Sequence, residues 1–120
     1  MVNYSVKSDP NDELDGLFDA LANKHRRDMI YMLGLRPASI SQLAKRQGLS
    51  LPAIHKHIKA LEQAELIQRK KVGRVNFLAL NKATLSKLQG WLMQYHTYWG
   101  NQEETLENYV AGIERSDNIK

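Results

Sequence analysis

The sequence predicts a mainly α fold with a small β-hairpin: a winged helix-turn-helix running α-α-α-α-β-β-α and closing on a long C-terminal helix. Three observations predict it. Ile40–Lys59 reads as a short helix, a glycine turn at Gly48 and a second helix. Leu66–Leu80 follows as two β-rich runs joined through Val72-Gly73-Arg74. From Leu85 onward, large side chains recur at alternating spacings of three and four.

Taken in order, residues 1–12 are expected to form a loose N-terminal arm, residues 13–100 the domain, and residues 101–120 a C-terminal helical extension. Asp12 is placed to cap a helix from Glu13, in which Leu14, Leu17, Phe18 and Leu21 fall at i, i+3, i+4 and i+7. Asn23 should cap a second helix with Met29, Ile30 and Leu33 as its inner stripe, ended by Gly34 and Pro37. Ser39 starts the third, whose Ile40, Leu43 and Ala44 face inward. Gly48 then stands where two helices turn in very little chain, and glycine takes a positive φ there without strain. Ser50 is a natural N-cap for the fourth helix, and Pro52 is tolerated in its first turn. Ile54, Ile58 and Leu61 form the buried stripe of that helix, so His55, Lys56 and Lys59 point the other way. Leu66–Lys71 and Val75–Leu80 are the hairpin strands. Asn81 or Thr84 opens the last helix, where Leu85, Leu88, Leu92, Tyr95, Trp99, Gln102, Leu106, Tyr109 and Ile113 keep the spacing. Trp91 and Tyr98 widen that stripe, and Gly90 and Gly100 are its weak points.

Charge is unevenly distributed. The net charge is +4, but between Arg36 and Lys87 eleven Lys or Arg meet only two acids, Glu62 and Glu65. A basic centre between acidic flanks points one surface at phosphates and another elsewhere. No apolar stretch approaches the roughly 18 residues of a membrane span, and the polar first twelve residues lack the apolar core of a signal peptide. The chain has no cysteine, which excludes disulfides, thiolate metal sites and thiol switches. The expected location is cytoplasmic.

A helix-turn-helix backed by a basic hairpin suits duplex DNA, with the second helix in the major groove and the hairpin over the backbone beside it. Ser50, Leu51, Pro52, Ala53, His55 and Lys56 are then the recognition-helix residues in reach of base edges, and Lys59 is better placed for phosphate. Ser50 as a plain cap and Leu51 as a staple to the core are the structural alternatives. His57, near the buried face, is expected to be packed and hydrogen-bonded. Arg69, Lys70, Lys71, Gly73 and Arg74 form the expected wing, with Arg74 at a minor groove and the strand lysines on phosphates. Lysines guarding an exposed strand edge are the alternative there. Lys45 and Arg46 are expected at backbone phosphate, with a plain surface role as their alternative.

The segments Leu21-Ala-Asn-Lys-His-Arg-Arg-Asp-Met-Ile, Gln42-Leu-Ala-Lys-Arg-Gln-Gly-Leu-Ser, Pro52-Ala-Ile-His-Lys-His-Ile-Lys-Ala-Leu, Glu62-Gln-Ala-Glu-Leu-Ile and Gly73-Arg-Val resemble the ArsR-type winged-helix repressors of bacteria and archaea. The resemblance runs from about Leu17 to Trp99. It implies a homodimeric, operator-binding repressor that dimerises through its first and last helices, here Leu14, Leu17, Phe18, Leu88, Trp91, Leu92, Tyr95 and Trp99. Arg26 and Arg27 resemble an arginine pair of the family, in a structural ion pair to Asp19 or Asp28 or else on DNA. Metal-sensing members carry a Cys-x-Cys pair where this sequence has Ser39-Ile40-Ser41, and others use Asp and His ligands on the last helix, where only His96 stands. The Trp91-Leu-x2-Tyr-x3-Trp pattern is similar to a metal-independent branch.

The last-helix seam exceeds what one small domain needs for its core, so it reads as a partner surface rather than an aromatic ligand pocket. No cysteine nucleophile, Gly-rich phosphate loop or metal-ligand spacing points to catalysis, and no cofactor or metal is expected. The expected partners are double-stranded DNA, read as a palindrome by a homodimer, with room for an unidentified effector or partner protein and no membrane. The alternative is a winged-helix protein–protein interaction module without specific DNA binding.

Overall fold

Local capping chemistry sets where the helices begin. The Asp9 carboxylate accepts the Asn11 amide at 3.0 Å and opens α1 (Pro10–Leu21), with proline in its first turn. The helix thus begins three residues before the expected Glu13. Asp9-Pro10 combines a capping carboxylate with a residue whose φ is already helical, and Asp12 is left inside the first turn. The computed structural model describes residues 9–98 and 106–118, so most of the expected N-terminal arm lies outside the described residues.

Asn23 caps α2 (Lys24–Leu35), its side-chain oxygen accepting the His25 and Arg26 amides at 2.9 and 3.2 Å. The helix continues through Gly34 by one residue before the chain turns extended at Arg36. Ala38–Ser39 then forms β1, a two-residue strand unforeseen in the sequence. Ser39 also opens α3 (Ile40–Gln47). Its hydroxyl accepts the Gln42 amide at 3.1 Å while the Gln42 side chain accepts the Ser39 amide at 2.8 Å, a reciprocal capping box.

Two left-handed residues carry the next reversals. Gly48, at φ +67°, ends α3 as the Leu49 amide donates to Ala44 and the Gly48 amide to Lys45, a Schellman motif. Ser50 then opens α4 (Leu51–Gln63), accepting the Ala53 amide. The end of α4 repeats the motif with Glu65 at φ +58° in the place glycine usually takes. Leu66 donates to Leu61 at 3.0 Å and Glu65 to Glu62 at 2.9 Å. The Thr84 hydroxyl donates to the Glu65 carbonyl at 2.6 Å and holds the strained residue from the other side.

Strands β2 (Ile67–Val72) and β3 (Val75–Leu80) pair antiparallel, and β1 joins on the far side of β3. The hairpin turn is Gly73-Arg74, one residue shorter than the expected join, with Gly73 at φ +64°. Positive φ at the first central residue alone is the type II′ pattern, whose twist suits adjoining strands. A helix α5 (Lys82–Tyr98) follows, and α6 (Leu106–Asn118) stands where the sequence suggested one long last helix. Trp99 and Gln102 of the expected seam lie outside the described residues.

The chain divides into two compact units between Leu88 and Gln89. In the first, Leu17, Met29, Leu43, Ile54, Ile58, Leu61, Leu66 and Leu78 are almost wholly buried. Each such side chain contributes about 1.5–3 kcal/mol of hydrophobic stabilisation. In the second, the rings of Trp91 and Tyr95 meet edge to face at 5.1 Å. No described helix is long and apolar enough to cross a membrane.

The two helix-ending residues provide a paired test. A Cβ added to Gly48 meets open space, so Gly48→Ala carries a purely conformational penalty, expected to be about 1 kcal/mol. Glu65→Gly removes strain and is expected to stabilise by about 0.5–1 kcal/mol. Urea unfolding should show opposite shifts in midpoint; a stabilising Gly48→Ala or a clearly destabilising Glu65→Gly would contradict this reading of the two turns.

Candidate nucleic-acid interface

Packing dictates the outward face of α4. Ile54, Ile58 and Leu61 are fully buried against α2 and α3 neighbours, so the helix has no rotational freedom left. Ser50, Leu51, Pro52, His55, Lys56 and Lys59 are exposed, and Ala53 is half-buried. Leu51 is 52% exposed and is not a staple into the core. Lys70, Lys71, Gly73 and Arg74 are exposed along the hairpin, flanked near its tip by exposed Val72 and Val75. Lys45 is exposed at the end of α3.

Three expected site residues have other engagements. The Arg69 guanidinium donates through Nε and Nη2 to both Glu62 carboxylate oxygens, each at 3.0 Å. Arg69 pairs across the ladder with buried Leu78, which turns it toward α4, whereas Lys70 lies on the opposite face of β2. Arg46 makes a similar fork to Asp28 at 3.0 and 3.1 Å, with its guanidinium 5.9 Å from the Tyr31 ring centre. Only the donors left over from these forks can meet phosphate. Leu17, expected at a dimer interface, is 1% exposed within the single chain and is core instead. The spacing that put it on the same stripe as Phe18 could not distinguish the inner edge of α1 from the outer.

A polar network ties the motif to α2. Gln47 donates to Asp28, while the His25 Nδ1–H donates to the Gln47 side-chain oxygen at 2.8 Å. The Asp28 carboxyl is held below its ordinary value, chiefly by the Arg46 hydrogen bond. Arg26 and Arg27 meet neither acid that the sequence offered. They donate to the carbonyls ending α1: Arg26 to Asp19 and Ala20, Arg27 to Leu21 at 2.8 Å. Arg26 also reaches His57 Nδ1 at 3.3 Å. Arginine only donates, so this nitrogen carries the lone pair and His57 is neutral. Burial, then Arg26, His25 and Lys56, keeps its imidazole below the usual histidine value. His57 is thus packed and hydrogen-bonded, as its place beside the buried stripe suggested.

Comparison with known proteins agrees with this arrangement. A family model described as a helix-turn-helix domain matches residues 21–69, which spans α2 to the start of the hairpin. The crystal structure of an ArsR family transcriptional regulator superposes with a TM-score of 0.70 at 33% identity, covering 80% of this chain and 99% of that one. The chain belongs to the ArsR family of transcriptional regulators. A sequence relative, an uncharacterized HTH-type transcriptional regulator of Methanocaldococcus jannaschii, is 38% identical over 50 residues, 42% of this chain and 53% of that protein. The transcriptional repressor SdpR of Bacillus subtilis is 24% identical over 82 residues, 68% of this chain and 91% of its own.

This ArsR-family chain is therefore a transcriptional regulator with a helix-turn-helix DNA-binding domain, a class distinct from enzymes. Among the described residues, no three His, Cys, Asp or Glu gather in a way that would hold a metal ion. The remaining expected dimer residues divide by unit. In the first, Leu14 and Leu88 are half-buried, and Phe18 is 42% exposed. In the second, Trp91 is half-buried, whereas Leu92 and Tyr95 are 54% and 45% exposed.

Because folding lowers the His57 pKa, its contribution to stability is complete above the unfolded value near 6.5 and is lost as pH falls through the folded value. Asp28 acts below about pH 4, outside this window. Urea midpoints measured from pH 7.5 to 5 are expected to fall in the parent and to fall less in His57→Asn, which keeps an acceptor for Arg26. Identical pH profiles would remove His57 from the account.

Proposed function

We propose that this chain is a homodimeric, sequence-specific repressor that places α4 in the major groove of a palindromic operator and lays the β2–β3 hairpin over the adjoining backbone. One observation carries the reading. Helix α4, which lies between the left-handed residues Gly48 and Glu65, buries Ile54, Ile58 and Leu61 completely and turns His55, Lys56 and Lys59 outward beside a hairpin bearing Lys70, Lys71 and Arg74. Ser50, Leu51, Pro52, Ala53, His55 and Lys56 are the base-reading residues in this proposal, with Lys59, Lys70, Lys71 and Lys45 on phosphates and Arg74 at the minor groove. Arg46 adds a phosphate contact through the donors Asp28 does not use. The name of the Bacillus subtilis relative supports repression. With no cysteine in the sequence, release from DNA does not run through thiolate metal binding. The working compartment is the cytoplasm, alongside the chromosome.

Exposed Leu92, Met93 and Tyr95 supply apolar surface for a second copy, and Leu14, Phe18, Leu88, Trp91 and Trp99 are the other residues this proposal assigns to the dimer contact. Two recognition helices related by a two-fold axis read half-sites one helical turn apart, or a small multiple of it. Sedimentation at micromolar concentration should show a dimer, and Leu92→Glu with Tyr95→Glu should give a folded monomer. A parent that sediments only as a monomer would remove this half of the proposal.

DNA fragments selected from a random or genomic pool provide the operator for the other half. Lys56→Ala is expected to weaken operator binding by about 1–3 kcal/mol and relax specificity at one base position. Lys70→Ala and Lys71→Ala should weaken all duplexes alike, each lowering the slope of log affinity against log salt by about one. If Lys56→Ala and Arg74→Ala both bind operator like the parent at physiological salt, the docking is wrong.

A further inference from the structure

Glu62 stands out on charge alone. The stretch from Arg36 to Lys87 carries eleven bases and two acids, and repulsion from phosphate disfavours an acid near a DNA-gripping surface. Glu65, the other acid, occupies the left-handed turn that ends α4. Glu62 lies on the last turn of α4, one turn beyond Lys59, and both its oxygens are taken by Arg69 of β2. The pair spans the reversal through Ala64, Glu65 and Leu66 and joins the recognition helix to the wing by their side chains.

We propose that Glu62 is a positioning residue for DNA recognition, fixing the angle between α4 and the β2–β3 wing through its fork to Arg69. The inference rests on the docking proposed above and deepens it. A two-point carboxylate–guanidinium pair fixes rotation as well as distance, which a single contact or a lysine does not. The hairpin makes the angle matter. Arg74 lies five residues along from Arg69, roughly 16 Å at a strand rise of about 3.3 Å per residue, so a tilt of about 5° swings the tip by roughly 1.4 Å. A displacement of that size separates a bonded base or phosphate contact from a lost one. Because both partners are about one-third exposed, the pair adds little to stability, and its effect falls on geometry.

The experiment compares affinity for the selected operator with affinity for a random duplex of equal length, at fixed salt. Glu62→Gln removes one negative charge, so general electrostatics alone would strengthen binding to every duplex. The positioning role has the opposite outcome: operator affinity falls about tenfold while random-duplex affinity stays within about twofold of the parent. The exchange Glu62→Arg with Arg69→Glu keeps the net charge, restores the fork in reverse and should recover most of the operator affinity. Thermal melting of each variant verifies that it folds. If Glu62→Gln strengthens both duplexes alike, Glu62 merely masks Arg69 and the proposal fails. If it changes neither while Lys56→Ala still loses operator, positioning is wrong and the docking stands. If neither substitution has an effect, the docking itself has failed and the positioning role goes with it.

Discussion

The rotational setting of α4 is the constraint on which the rest depends. Ile54, Ile58 and Leu61 fall on one stripe of a 13-residue helix and reach zero exposure, so turning the helix by even one residue would bring a lysine or histidine into the core. Burying an unpartnered charge costs far more than exposing an isoleucine, and the helix has one setting. The basic face is thus the geometric remainder of core packing. At the ends of α3 and α4, Gly48 and Glu65 each take a left-handed conformation that lets the chain reverse within a single turn.

Around that helix, polar side chains do the work that apolar packing cannot, because helix ends leave donors and acceptors exposed. Arg26 and Arg27 satisfy the last carbonyls of α1, and Asp28 gathers Arg46 and Gln47 from α3. His57 brings α4 into this network through a lone pair. Arg46 and Arg69, at the edge of the candidate interface, accordingly differ in role from Arg74 and the neighbouring lysines. Arg46 and Arg69 hold elements in place, while the lysines project outward. The division follows from their chemistry, since a guanidinium fork suits a fixed carboxylate and a lysine suits a shifting phosphate.

How legible this was depended on distance along the chain. Asn23, Ser39, Gly48 and Ser50 act within three or four residues of themselves, and each was placed from spacing alone. The hairpin was readable for the same reason, its glycine lying between two β-rich runs. The two-residue β1 was hidden because its partners, Phe77 and Leu78, lie nearly forty positions away. The forks Asp28–Arg46 and Glu62–Arg69 left no periodic trace either, and a glutamate at positive φ runs against the residue preference that normally flags such a turn. For α1, the spacing points to Asp12 as the cap, and the signal it passes over is the proline directly after Asp9. Of the candidate site, the exposed lysines were legible as charge, whereas the engagement of Arg46 and Arg69 was not.

Amide chemical shifts of the labelled protein, titrated with its selected duplex, test whether α4 and the hairpin together form the surface that meets DNA. The largest changes are expected at Ser50–Lys59 and Lys70–Arg74, with α6 little affected. Changes concentrated in α6 or the second half of α5, with Ser50–Lys59 silent, would contradict it.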